Sequence, residues 1–129
     1  MPQVTATAKC FPTEDPDRVE RAVRNLFPRG QVQGTADGLV SRGDDLERFQ
    51  ELIRNHRILD SARGAMRRGC RPGATAFTLN KQAAYAGRVS FLEERVALGG
   101  IEVLVEDRDI EALIDQVAPI TVDGEEVRG

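Results

Sequence analysis

Across residues 44–68 the apolar side chains run along two stripes that no single straight helix can bury. At about 100° per residue, with Leu46 as origin, Phe49, Leu52 and Ile53 centre near ~290–300°. Ile58, Leu59, Ala62, Ala65 and Met66 centre near ~160° on the same wheel. A change of more than a third of a turn predicts two helices, broken between Asn55 and Ile58. Asp44, with Glu47 three residues on, has the form of a capping box for the first helix. Gly69 offers a C-terminal cap for the second.

On either side of this pair the apolar pattern switches between period two and period 3.6. Val4, Ala6, Ala8 and Cys10 alternate with Thr5, Thr7 and Lys9, which predicts a half-buried strand over residues 4–10. Thr13 or Asp15 caps a helix with Pro16 in its first turn and Val19, Ala22, Val23, Leu26 and Phe27 on its buried side. Pro28 and Gly30 end it, and short strands at 31–35 and 39–42 meet through Asp37-Gly38. Past the central helices, Pro72-Gly73 predicts a type II turn into a strand over 74–79. Asn80 caps a short helix over 81–86, Gly87 ends it, and a short strand follows at 88–91. Residues 93–100 are expected to loop before a strand over 101–106. Asp107 or Asp109 then caps a last helix that buries Ile110, Leu113, Ile114 and Val117, and Pro119 stops it. This order predicts an α+β, two-layer fold, a mixed β-sheet with helices packed on one face. A single domain over residues 1–120 is expected, with 121–129 a mobile acidic tail.

At 129 residues, 40% apolar and 30% charged, the composition is that of one soluble globular domain. No apolar run approaches the ~20 residues of a membrane helix, and Met1-Pro2-Gln3 leads straight into alternation without a signal-peptide core. The chain reads as cytoplasmic, with no membrane partner. Cys10 and Cys70 stand far apart beside a single histidine, which favours two small buried thiols over a disulfide or a metal site. No cofactor is expected.

Charge is distributed unevenly. Residues 54–88 hold Arg54, Arg57, Arg63, Arg67, Arg68, Arg71, Lys81 and Arg88 against one acid, Asp60, a balance of +7. The whole chain carries −3, so the remainder carries −10. A basic middle between acidic flanks suits a polyanion, and the planar arginine fork suits phosphate oxygens. Arg57, Arg63, Arg67 and Arg68 fall within an arc of roughly 140° opposite the apolar stripe. With Arg71, Lys81 and Arg88 they are expected to form one continuous patch. Asp60 is expected to order Arg63 and Arg67 through helical ion pairs. Tyr85, the sole tyrosine, either stacks a base or packs at the core edge. Asn80-Lys81-Gln82 at a helix start is either a phosphate site or plain capping. His56 has no acid nearby in sequence, which favours a joint or a phosphate contact over acid–base work. Nothing in this window names a reaction, and the acids that a metal-dependent nuclease needs lie elsewhere.

Three stretches carry a resemblance: PTEDP at 12–16, RILDSAR at 57–63 and LNKQAAYAGRVSF at 79–91. The chain resembles a small archaeal family of uncharacterised proteins labelled predicted RNA-binding or exosome-associated. The likeness runs from Pro12 to Pro119, with Ser61 where the family text RILDTAR has threonine. It implies a fold similar to that of ribosomal protein L-five and brings no catalytic residues with it.

Residues and resemblance together favour a non-catalytic RNA-binding protein or adaptor, acting on structured RNA or within an RNA-processing assembly. Its RNA or phosphate contacts are expected from Arg54, Arg57, Arg63, Arg67, Arg68, Arg71, Asn80, Lys81, Gln82, Tyr85 and Arg88. Two other classes stay open. One is a binder of a small phosphorylated ligand, held between the Asn80 helix start and the arginine face. The other is a protein–protein module whose basic face meets an acidic partner.

Overall fold

Period-two alternation gives β1 (Gln3–Lys9) one face of Val4, Ala6 and Ala8 and another of Gln3, Thr5, Thr7 and Lys9, and only the first is buried. In the computed structural model, which describes residues 2–92, 99–122 and 125–126, this strand is central to the sheet. It pairs with β3 (Gly38–Gly43) on one side and β7 (Ile101–Glu106) on the other. β2 (Gln31–Gly34) adds to β3, and β5 (Ala74–Leu79) adds to β7. The outer edge of β5 is shared by two short strands, β4 (Cys70–Arg71) at its start and β6 (Phe91–Leu92) at its end. The α+β two-layer expectation holds, but every pairing among the described strands is antiparallel where a mixed sheet was expected. The crossover through α1 does leave β1 and β2 running the same way, but β3 lies between them and pairs antiparallel with both.

Register builds the core. Ala6 lies opposite Val103, and Val103 opposite Phe77, so one row of inward side chains crosses three strands. Onto this face pack α1 (Pro16–Leu26), α2 (Glu47–Asn55), α3 (Leu59–Arg68), α4 (Lys81–Tyr85) and α5 (Ile110–Val117). Phe49 of α2 is fully buried between Phe27 and Phe77, with ring centroids at 5.9 and 5.6 Å, and Phe91 meets both Phe49 and Phe77 edge-on. This aromatic cluster ties α2 to the sheet and fixes where the β6 segment lies.

The predicted break is present: α2 stops at Asn55 and α3 starts at Leu59. The Ile58 N–H donates to the Ile53 carbonyl and the Arg57 N–H to the Arg54 carbonyl. These are the two bonds of a Schellman motif, whose C′ position is usually glycine because it is left-handed. Here it is Arg57, at φ 56° and the one non-glycine with positive φ among the described residues. The start of α2 differs from the capping box. Asp45, not Asp44, accepts from the Glu47 N–H at 2.6 Å. Asp15, Asn80 and Asp109 cap α1, α4 and α5 as side-chain acceptors. Gly73, at φ 77°, occupies the left-handed position that a Pro-Gly type II turn requires.

Some expectations move. The strand placed at 88–91 is the two-residue β6 at Phe91–Leu92, and β4 was not expected at all. Of the loop at 93–100, residues 93–98 lie outside the described residues. Within the expected tail, Thr121–Val122 and Glu125–Glu126 pair as an antiparallel two-stranded sheet, and 123–124 and 127–129 lie outside the described residues. Cys10 and Cys70 are half-buried and free. No helix among the described residues is long and apolar enough to cross a membrane.

Candidate nucleic-acid interface

The second central helix presents its arginines as its periodicity dictates. Leu59, Ala62, Ala65 and Met66 are buried, and Arg67 and Arg68 are exposed on the far side. Arg57 is exposed at the joint that precedes the helix, and Arg54 at the end of α2. His56 is exposed at the same joint, where its backbone N–H donates to the Leu52 carbonyl at 3.0 Å. Arg68 bends back along its own helix: a Cβ built on Gly64 would stand 3.2 Å from Arg68 Nη1. The absence of a side chain at Gly64 therefore leaves the guanidinium room to lie against the helix. Asp60, Ser61, Gly64 and Arg68 form one wall of a cleft of about 360 Å³, and Val89, Ser90 and Phe91 form the other. Arg88 is exposed and precedes Val89 of this cleft in the chain. Arg71 is exposed on β4, directly after α3 and the Gly69 cap.

Two of the expected contacts are turned inward. Arg63 Nη1 donates to Asp115 Oδ1 at 2.7 Å and to the Ala118 carbonyl at 3.1 Å, which locks α3 to α5. Asp60 does not order the arginines: its carboxylate accepts from the Thr121 hydroxyl instead. Lys81 is buried, and its ammonium donates to the Lys9 carbonyl at 2.6 Å and to Glu14 Oε1 at 3.0 Å. Phe11 lies under the same ammonium, 5.2 Å from nitrogen to ring centroid. The one continuous patch is thus reduced: Arg63 and Lys81 serve the fold. Asn80 acts as a cap, accepting from the Ala83 N–H at 2.9 Å.

Helix α4 also lies apart from the α3 arginines, packed on α1. Asn25 Nδ2 donates to the carbonyls of Ala84 and Tyr85, at 3.0 and 3.1 Å. Arg18 Cζ stands 5.6 Å from the centroid of the Tyr85 ring. Gln82 and Tyr85 are exposed and line a groove of about 350 Å³ with Thr13, Glu14, Asp15 and Arg18. Charge counting along the chain missed Arg18 and Arg21. They belong to an acidic stretch of sequence, and the packing of α1 on α4 sets Arg18 beside Tyr85 of the basic window. Their i, i+3 spacing on one strip of a helix was the available signal.

Arg24, Arg29 and Arg48 are held by acids. Arg29 Nη1 lies 2.6 Å from Asp45 Oδ2 and 3.0 Å from Glu47 Oε2, and these two carboxylates hold its pKa above the ordinary value. Asp45 falls below the usual carboxylate range, chiefly because the Glu47 N–H donates to it and further because of Arg29, while partial burial opposes the shift. Among the described residues no group of three or more His, Cys, Asp or Glu side chains is placed to hold a metal ion.

An antiparallel sheet covered on one face by helices, with arginines along the outside of one helix, defines a two-layer α+β protein. A family model described as RNA binding matches residues 3–106. A UPF0201 protein of Methanothermobacter thermautotrophicus is 40% identical over 122 residues, covering 92% of each chain. A UPF0200/UPF0201 protein of Archaeoglobus fulgidus is 36% identical over 98% of this chain, which spans 40% of that longer relative. The crystal structure of a UPF0201 protein from Methanococcus jannaschii superposes with a TM-score of 0.89 at 34% identity, covering 98% of this chain and 99% of that one. A DUF54 protein from Archaeoglobus fulgidus, at 20% identity and TM-score 0.64, shares the fold alone. The chain belongs to the UPF0201 family.

Proposed function

We propose that the protein is a non-catalytic RNA binder whose main contact surface is the outer side of α3 with its two flanks. The contacts come from Arg54, Arg57, Arg67, Arg68, Arg71 and Arg88. The observation that carries this reading is the outward placement of these six arginines in a chain of net negative charge, within a family whose model is described as RNA binding. Guanidinium groups on a surface of this kind bind phosphate oxygens and displace condensed counterions. Affinity then falls steeply with salt and varies little with sequence. Asn80 and Lys81 are left out because both are committed to the fold.

The test is the affinity of the full chain for a labelled RNA oligonucleotide, measured over a series of salt concentrations. A linear fall of log affinity against log salt, with a slope equivalent to several phosphates, supports the reading. Failure to bind at low salt overturns it.

A further inference from the structure

We propose that the groove between α1 and α4 takes one unpaired nucleobase, stacked on Tyr85, so that the preferred RNA is single-stranded or looped. This rests on the RNA-binding reading above and adds a site to it. Tyr85 is 40% exposed and is the exposed aromatic among the described residues; Phe11 and Phe91 are half-buried, and Phe27, Phe49 and Phe77 lie in the core. An aromatic face that solvent reaches, beside a cation, is the platform on which unpaired bases stack. The ring is held: Asn25 clamps the end of α4 through the Ala84 and Tyr85 carbonyls, and Arg18 covers one face of the ring.

Beside the ring lies the groove of about 350 Å³, within the range of about 300–1,000 Å³ of small-ligand clefts. Its acids are already engaged. Glu14 accepts from Lys81 and from the Phe11 N–H, and Asp15 accepts from the Asp17 N–H while lying 3.9 Å from Arg18. These carboxylates disfavour a phosphate inside the groove and leave it to a neutral planar group. Of the cations that line it, Lys81 is held by Glu14 and the Lys9 carbonyl, and Arg18 belongs to a row of side chains along α1. Arg18, Arg21 and Asn25 share one strip by their i, i+3, i+7 spacing, and both ends of that strip touch α4. Arg21 stands between them, exposed and with no ion-pair partner among the described residues, whereas Arg24 is bonded to Glu20. A base in the groove thus stacks on Tyr85 with its phosphates toward Arg18 and Arg21, the pairing of ring and cation that single-strand binders use.

Tyr85 is the only tyrosine and there is no tryptophan, so the intrinsic emission of the full chain reports on this ring alone. The experiment titrates the protein with a short single-stranded oligoribonucleotide bearing an end label, and follows label anisotropy and tyrosine emission together. The proposal expects saturable quenching of tyrosine with the same midpoint as the anisotropy, and weaker quenching by a duplex of equal length. Tyr85→Ala loses about tenfold in affinity, while Tyr85→Phe stays within about twofold of the parent. Binding with unchanged tyrosine emission, or full affinity in Tyr85→Ala, overturns the groove and leaves the arginine surface standing. No anisotropy change at low salt overturns both.

Discussion

Lys81 Nζ donates to Glu14 Oε1 at 3.0 Å across 67 residues of chain, with both side chains largely withdrawn from water. The pair joins the start of α4 to the loop between β1 and α1, and the Lys9 carbonyl and the Phe11 ring also lie against the ammonium. Removing one partner leaves the other buried and uncompensated. Lys81→Ala is therefore expected to cost about 2–4 kcal/mol in urea unfolding. Lys81→Met combined with Glu14→Gln is expected to recover at least half of that loss. Lys81→Ala as stable as the parent would mean that the clip contributes nothing.

Arg57 holds a left-handed backbone at φ 56°, which costs an L-residue with a side chain roughly 1–2 kcal/mol. Glycine fits the same Schellman position without that cost but loses more freedom on folding. Arg57→Gly is expected to raise stability by about 0.5–1 kcal/mol in thermal or urea unfolding. A lower stability would show that the Arg57 side chain supports the α2–α3 joint.

Asp45 contributes to stability in a pH-dependent way. Its carboxyl is depressed below the ordinary 3.8, so its contribution is complete above that value and is lost as pH falls through the lower, folded value. The unfolded chain takes up the proton first, which makes acid unfavourable to the fold. The stability gap between the parent and Asp45→Asn is expected to stay constant from neutral pH down to the carboxylate range and to narrow below it. A gap that does not change with acid would remove the Glu47 and Arg29 contacts from this account.

Met66 and Arg67 are consecutive residues on different faces of α3, one fully buried and the other exposed. Met66→Asp places a carboxylate in the core without a partner and is expected to cost several kcal/mol. Arg67→Asp is expected to stay within about half a kcal/mol. Equal melting temperatures for the two variants would contradict the face assignment.

The parts of the fold set by local period were legible in the sequence. The stripe change between Ile53 and Ile58 located the helix break, and the alternations at Val4–Ala8 and Ile101–Val105 oriented two strands that prove to be neighbours. β4 was not legible, and β6 was expected a few residues early at 88–91, because two residues carry no period; the edge of β5 offers each its hydrogen bonds. The charge window picked out Arg54, Arg57, Arg67, Arg68, Arg71 and Arg88, which are exposed. It also took in Arg63 and Lys81, whose partners Asp115 and Glu14 lie 52 and 67 residues away and leave no mark on local sequence. For the same reason Arg18 escaped it: its place beside Tyr85 is made by tertiary packing.

The central claim is that the exposed arginines around α3 contact RNA phosphates, and salt dependence tests it most directly. Arg57→Ala with Arg67→Ala is compared with Arg48→Ala with Arg108→Ala, a control that removes the same charge from other exposed positions. The account predicts that the first pair flattens the slope of log affinity against log salt by about 0.7–0.9 for each phosphate that is no longer bound, similarly across RNA sequences, while the second pair leaves the slope unchanged. Equal flattening by both pairs, or by neither, would contradict it.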